Sequence, residues 1–332
     1  MEHAGGVRKG NGALVEFNIT STNTKMVGDH LFLDSDTLII NWQMGVFCNY
    51  NCSYCWPGAH SDKYDYKKLS EYKMYIDNFV DIAIENGFKK IDFTMLGGEL
   101  TAYKHFTELV EYLDQITEVE IGLVLVTNIS PAISFWKRFF KNIKNIKIRF
   151  VASYHVEHAD INEFLEKVKF ITSAYENMLT VVNTVMSPAN FDKLKIVVEK
   201  IKASGVRYKF NYQNVDEKNI SPLYTQEMID YIESINTDDK YLFYTIRTDQ
   251  EEFKFPSASY AIYYGLTNFE GWNCIAGSES IIVSSDGQVY KCWTDRREPL
   301  GNLRTGFKLK KEKCTLLTCI KYADLCVKKW RD

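Results

Sequence analysis

The sequence predicts an α/β protein: a partial (β/α)6 barrel followed by a small cysteine-rich C-terminal appendage of β-hairpin and helix. Three observations carry this. Six short apolar runs alternate with longer stretches of helical spacing between residues 37 and 212, the pattern of a parallel sheet with crossover helices. That rhythm changes after about residue 216. The eight cysteines are also unevenly placed, three within residues 48–55 and five beyond residue 270. A flat doubly wound sheet is the alternative to the barrel. In both, active residues lie at the C-terminal ends of the strands.

The elements follow in order. Residues 37–44 (TLIINWQM) read as a buried strand, and the loop after it holds the three early cysteines. A helix is expected over 67–86, a strand over 90–95, a helix over 105–116 and a strand over 121–127. Pro131 opens a helix running to about 143. Strand 147–153, helix 161–175, strand 179–186, helix 191–203 and strand 206–212 complete the barrel. Beyond it, 226–235 reads as helix and 240–247 as extended. Residues 281–284 and 288–292 flank Asp286-Gly287, a favoured hairpin turn. The expected domains are an N-terminal extension (1–36), the barrel (37–215) and linker helices with a C-terminal domain (216–332).

Composition narrows the class. The chain has 332 residues, 45% of them hydrophobic, so a substantial core is available. The net charge is −3, which gives no basic footprint for nucleic acid. No run of about 18 apolar residues suggests a membrane span, and the first dozen residues lack a signal-peptide core. We therefore expect a cytoplasmic monomer. In a reducing compartment, the cysteines are metal ligands or reactive thiols rather than disulfides.

Cys48, Cys52 and Cys55 have the spacing C-x3-C-x2-C just after the first barrel strand. Three thiolates on a short loop can hold three irons of a cubane and leave the fourth open to a small molecule. A zinc site is the alternative, but structural zinc takes four closed ligands, and the nearest loop histidine is His60.

This segment resembles the defining motif of the radical S-adenosylmethionine (SAM) superfamily. The resemblance implies a [4Fe–4S] cluster on the three cysteines and SAM chelated at the fourth iron. It places Tyr54 near the adenine. Gly97-Gly98-Glu99, at the end of the second strand, resembles the family's GGE motif, which contacts the SAM amino group. Glycines let a backbone approach a ligand closely, and a carboxylate complements an ammonium. Thr127-Asn128 resembles the family's Thr-Asn, and Ser153 and Asn183 stand where the family places polar residues on SAM. For each of these three, Asn128, Ser153 and Asn183, a structural role is the alternative. In 154–158 (YHVEH), His155 is a candidate pocket residue for proton transfer, with His158 behind it. Lys209, Asn211 and Gln213 alternate along the sixth strand and share one face. They are candidates for contact with substrate.

Cys274, Gly287 and Cys292 give C-x12-G-x4-C, which resembles the start of the SPASM and twitch appendages of the superfamily. Cys314 and Cys319 would complete one auxiliary [4Fe–4S] cluster, as in the shorter twitch domain, with Cys326 in reserve. Four cysteines also suit structural zinc. Residues 308–313 (KLKKEK) read as a solvated surface that could dock an acidic electron donor.

The resemblance implies an enzyme that cleaves SAM reductively to a 5′-deoxyadenosyl radical, which takes a hydrogen atom from a substrate. Oxidation or epimerisation of a small polar, sugar-like molecule is the expected outcome. The short extension before the barrel favours that over crosslinking, thioether formation or epimerisation in a ribosomally made peptide. A flavodoxin- or ferredoxin-like protein would supply electrons. A different class, a non-catalytic iron–sulfur carrier or scaffold, would explain the cysteines but not Gly97-Gly98-Glu99.

Overall fold

The computed structural model describes residues 5–8, 14–17, 19–23, 36–56, 60–174, 179–215, 219–236, 244–248, 252–255, 267–319, 321–325 and 327–331. The chain begins with β1 (Gly5–Arg8) and β2 (Leu14–Phe17), an antiparallel pair, and β3 (Ile19–Asn23). Six strand–helix steps follow: β4 (Thr37–Gln43) and α1 (Leu69–Glu85), β5 (Lys90–Leu96) and α2 (Phe106–Asp114), β6 (Glu120–Thr127) and α3 (Ile133–Asn142), β7 (Lys147–Tyr154) and α4 (Ile161–Ser173), β8 (Leu179–Val185) and α5 (Phe191–Ala203), and β9 (Arg207–Asn211) and α6 (Gln226–Ile235). Strands β4 to β9 lie side by side in sequence order and every adjacent pair is parallel. This is the partial (β/α)6 barrel.

Alternation along each strand sorts the side chains into two faces. Leu38, Ile40 and Trp42 of β4, Phe93 of β5 and Phe150 of β7 join the core shared with the helices. Trp42 meets Tyr72 and Phe79 of α1 edge-on, each with ring centroids 5.5 Å apart. Burying one such side chain contributes roughly 1.5–3 kcal/mol. The opposite face is more polar and buries Asn41, Asp92, Arg149 and Lys209. Local signals set the helix starts. Asp160 accepts the N–H groups of Asn162 and Glu163 to cap α4, and Thr225 accepts from Met228 to cap α6. Pro131 stands two residues before α3 rather than opening it, because Ala132 is still extended as the N-cap.

Past the barrel come β10 (Tyr244–Thr248), β11 (Glu252–Phe255), β12 (Asn273–Cys274), β13 (Ser280–Val283), β14 (Gln288–Tyr290), β15 (Gly301–Asn302), β16 (Gly306–Phe307), α7 (Tyr322–Leu325) and β17 (Lys329–Trp330). The extended stretch expected over 240–247 is β10; residues 240–243 lie outside the described residues. The hairpin expected around Asp286-Gly287 is β13–β14, with Gly287 at φ +85°. This hairpin does more than append to the barrel. Strand β13 runs parallel to β4, with Ser280 opposite Ile39 and Val283 opposite Trp42, so the C-terminal strands continue the barrel's own sheet. A second sheet has the order β11-β10-β3-β17-β12 and joins an N-terminal strand to the C-terminal segment.

Candidate active site

The loop between β4 and α1 carries Cys48, Cys52 and Cys55. Its backbone is held from below and behind. The Asp65 carboxylate accepts the N–H of Val46 at 2.9 Å and of Phe47 at 3.0 Å. Cys48 donates its N–H to the Ser61 carbonyl. The Glu99 N–H donates to the Phe47 carbonyl at 2.8 Å, and the Tyr66 hydroxyl donates to the Glu99 carbonyl at 2.7 Å.

The two glycines at the end of β5 explain why that approach is possible. Gly97 has φ +103° and Gly98 φ +54°. A Cβ at Gly97 would stand 2.2 Å from the Gly45 carbonyl oxygen, and one at Gly98 would stand 1.9 Å from that of Phe47. What these glycines visibly admit is the cysteine loop's own backbone, at a distance no side chain would permit.

Glu99 is fully buried. One carboxylate oxygen accepts from the Thr101 N–H and hydroxyl and the Thr127 hydroxyl; the other accepts from the Asn128 N–H at 2.6 Å. Burial raises its pKa, opposed by these hydrogen bonds, Thr101 first. It braces the ends of β5 and β6. The Asn128 amide continues the brace by donating to Asn49 Oδ1 at 2.9 Å, within the cysteine loop.

The loop after β7 grips the cysteine loop from the other side. His155 Nδ1 lies 3.2 Å from Cys52 Sγ and 3.3 Å from the Tyr54 hydroxyl. Its ring stacks on Tyr54, while Tyr50 stacks on His158 with centroids 4.7 Å apart. Glu157 accepts the Ser53 N–H at 2.8 Å and its hydroxyl at 2.5 Å, and also the Asn190 amide. Burial, with His158 adding to it, holds the His155 imidazole down to about 4, so the ring is neutral at neutral pH. Burial pushes the Cys52 thiol up to about 12, and Cys48 and Cys55 move the same way. Free thiols here stay protonated; a metal would have to displace the protons. Glu157 lies two residues past His155 in the sequence. Its role as a clamp on Ser53 depends on a fold that brings β7 beside the loop.

The donor set fits an iron–sulfur cluster. Three sulfurs occupy one loop, and thiolates are the usual cluster ligands. A closed zinc site would need a fourth ligand, and His60 instead bonds Asn51 Oδ1 at 3.1 Å.

Ser153, Asn183 and Lys209 stand directly opposite one another across β7, β8 and β9, on the face away from the helices. Asn211, two residues beyond Lys209, donates from its amide to Asn183 Oδ1. Gln213 lies past the end of β9, where its N–H is fixed by the Tyr224 hydroxyl.

The second cysteine group is gathered from distant pieces of chain. Cys274 on β12, Cys292 just after β14, Cys314 and Cys319 all line one cavity, together with Ala276, Leu316 and Val327. Backbone N–H groups point at two of the sulfurs, from Ala276 to Cys274 and from Asp295 to Cys292. Burial raises the Cys292, Cys314 and Cys319 thiols. Buried Asp324, which also lines the cavity, accepts the N–H groups of Trp293 and Thr294. Four thiols line this cavity, and thiolate is the donor that both auxiliary iron–sulfur clusters and structural zinc take. Cys326 lies outside the described residues. Lys308, Lys310, Lys311 and Lys313 are exposed. The two cysteine regions touch: Lys321, two residues after Cys319, sits 4.6 Å above the ring of Trp56, the residue after Cys55.

No curated protein matches the chain. Two solved structures that resemble it are native anSMEcpe with bound AdoMet and the Kp18Cys peptide, and the same protein with AdoMet and the Cp18Cys peptide. The first is 16% identical, covers 82% of this chain and 79% of its own, and has a TM-score of 0.53. The second is 15% identical, covers 82% and 78%, and has a TM-score of 0.47. At this identity the first establishes likeness of fold. Residues 42–212, more than half of the chain, match the Radical SAM superfamily, with the three-cysteine loop and the braced Gly97-Gly98-Glu99 turn inside that span, and the chain belongs to this superfamily.

Proposed function

We propose that the chain uses radical SAM chemistry to oxidise or epimerise a small polar, sugar-like molecule. The carrying observation is a polar row in which Lys209 and Asn211, the substrate candidates, stand beside Ser153 and Asn183, the candidates for SAM. It lies near the C-terminal ends of parallel strands, the end at which the three-cysteine loop also stands. Hydroxyl, amide and ammonium groups there can orient a hydroxylated substrate by hydrogen bonds.

Cys48, Cys52 and Cys55 would hold the family's [4Fe–4S] cluster, and Tyr54 and Asn128 would border SAM, with Gly97, Gly98 and Glu99 forming the turn that would meet its amino group. When bound, these groups supply a 5′-deoxyadenosyl radical that abstracts a hydrogen atom. The protein's own part is to fix the loop through Asp65, Glu99 and Glu157 and to orient the substrate's C–H bond. Cys274, Cys292, Cys314 and Cys319 would hold an auxiliary [4Fe–4S] cluster in a C-terminal domain of the twitch type, spanning about 216–332. His155 and Gln213 complete the pocket candidates. The reading includes a cytoplasmic monomer served by a flavodoxin- or ferredoxin-like donor; free cysteines in quantity favour a reducing compartment.

The second reading is a peptide substrate, favoured by the fold likeness to a protein solved with a peptide bound. The test is anaerobic reconstitution, then assay of 5′-deoxyadenosine from SAM under dithionite with deuterated polyols and sugars or with deuterated peptides. Deuterium reaching 5′-deoxyadenosine from the sugars supports the first reading. Transfer only from peptides replaces it with the second. No 5′-deoxyadenosine from the iron-loaded protein contradicts both.

A further inference from the structure

We propose that His155 is a positioning residue for the three-cysteine site, an N–H donor to Cys52 that, with the Tyr54 hydroxyl, raises the reduction potential of the cluster held there. The inference rests on the reading of that loop as a cluster site. The three cysteines are not treated alike. Cys48 takes a backbone N–H from Tyr50 at 3.4 Å. Cys52, the most buried of the three, is approached by side chains: His155 Nδ1 at 3.2 Å and the Tyr54 hydroxyl.

The imidazole has little freedom to turn. It stacks on Tyr54 at an interplanar angle of 14° and meets Tyr50 edge-on. Its backbone carbonyl accepts the N–H groups of His158 and Ala159, which folds the segment into a tight turn. Two residues on, Glu157 anchors that turn to Ser53, the neighbour of Cys52. The ring is thus held against the sulfur by both neighbouring segments. With Nδ1 protonated and Nε2 bare, a neutral imidazole donates toward the thiolate. A donor on a ligand sulfur stabilises the reduced, more negative state more than the oxidised one, so it raises the potential. For a site that must be reduced before it can cleave SAM, this eases the electron's entry.

The experiment compares His155→Asn with His155→Leu in the full chain, reconstituted without oxygen. Asn keeps an N–H donor near the position of Nδ1; Leu has nearly the same size and none. The readout is an EPR-monitored redox titration of the three-cysteine cluster, in a Cys292→Ser/Cys319→Ser background so that one cluster is observed. The expected result is about a tenfold lower reduced-to-oxidised ratio at fixed potential in the Leu variant, about 59 mV for a one-electron couple, with Asn close to the parent. Tyr54→Phe should shift the same way by less, and serves if the Leu variant fails to load iron. Equal potentials in parent, Asn, Leu and Phe forms, all fully loaded, would overturn the proposal while leaving the cluster site intact. A parent in which the Cys48, Cys52 and Cys55 substitutions change neither iron nor EPR signal would instead overturn the reading beneath it.

Discussion

The two cysteine sites solve the same problem of gathering thiols in opposite ways. The first takes three cysteines from a single loop at the end of one strand, and the neighbouring strand ends supply braces: Glu99 after β5, Asn128 after β6, and His155 and Glu157 after β7. The second gathers four cysteines around one cavity from β12, the end of β14 and the segment after β16. Contiguous ligands need little loop closure, and three of them leave a position for a substrate. Dispersed ligands enclose their cargo and staple the chain that carries them. A reactive centre suits the first arrangement and a closed one suits the second.

The strongest way to break this comparison is Cys48→Ala/Cys52→Ala/Cys55→Ala. We expect about four of about eight irons to be lost and 5′-deoxyadenosine formation to be abolished. Retained cleavage would show that the C-terminal site is the reactive one. Gly98→Ala should come next. Its Cβ would meet the Phe47 carbonyl at 1.9 Å in a left-handed backbone conformation, and displacing the loop should cost more than about 3 kcal/mol of stability. Chemical denaturation and iron content both read that effect, and a fully loaded, equally stable variant would refute the close approach.

Cys292→Ser/Cys319→Ser sharpens the contrast. Iron should fall by about half, SAM cleavage without substrate should persist, and the melting temperature should drop, because the dispersed ligands staple the C-terminal strands. Zinc remaining at full occupancy in the parent would turn this site into a structural one and remove the support for oxidation. The smallest effect is expected at the seam. Asn78 on α1 donates to the Leu303 carbonyl at 2.6 Å, and Asn78→Ala should cost about 1 kcal/mol without changing iron content.

Much of this was legible in the sequence. The helix-facing side of each strand is apolar, so Leu38, Ile40 and Trp42 announced β4, and the spacing of Cys48, Cys52 and Cys55 announced the loop. Cys274, Cys292, Cys314 and Cys319, the set the resemblance to the C-terminal appendages implies, do line one cavity. Partnerships across the barrel were not legible. Nothing in YHVEH says that its histidine meets Cys52 and its glutamate meets Ser53, because that depends on β7 standing beside the loop. Nor could spacing show that the carboxylate of Glu99 is taken up by Thr101, Thr127 and Asn128. The pairing of β13 with β4 was not legible either, because a parallel partner so remote in sequence leaves no turn between the two strands.

That last pairing governs how the chain can be made. While the ribosome is still building residues 44–280, the flank of β4 that β13 will cover has no strand to pair with. An exposed edge of this kind recruits other chains, and contacts between remote segments form slowly. The nascent protein therefore passes through a long interval in which all six barrel strands are translated and one side of their sheet is still adhesive. Synthesis that stalls between α6 and β13 should release fragments that aggregate through that edge, read as light scattering of a chain truncated before residue 280 against the full chain.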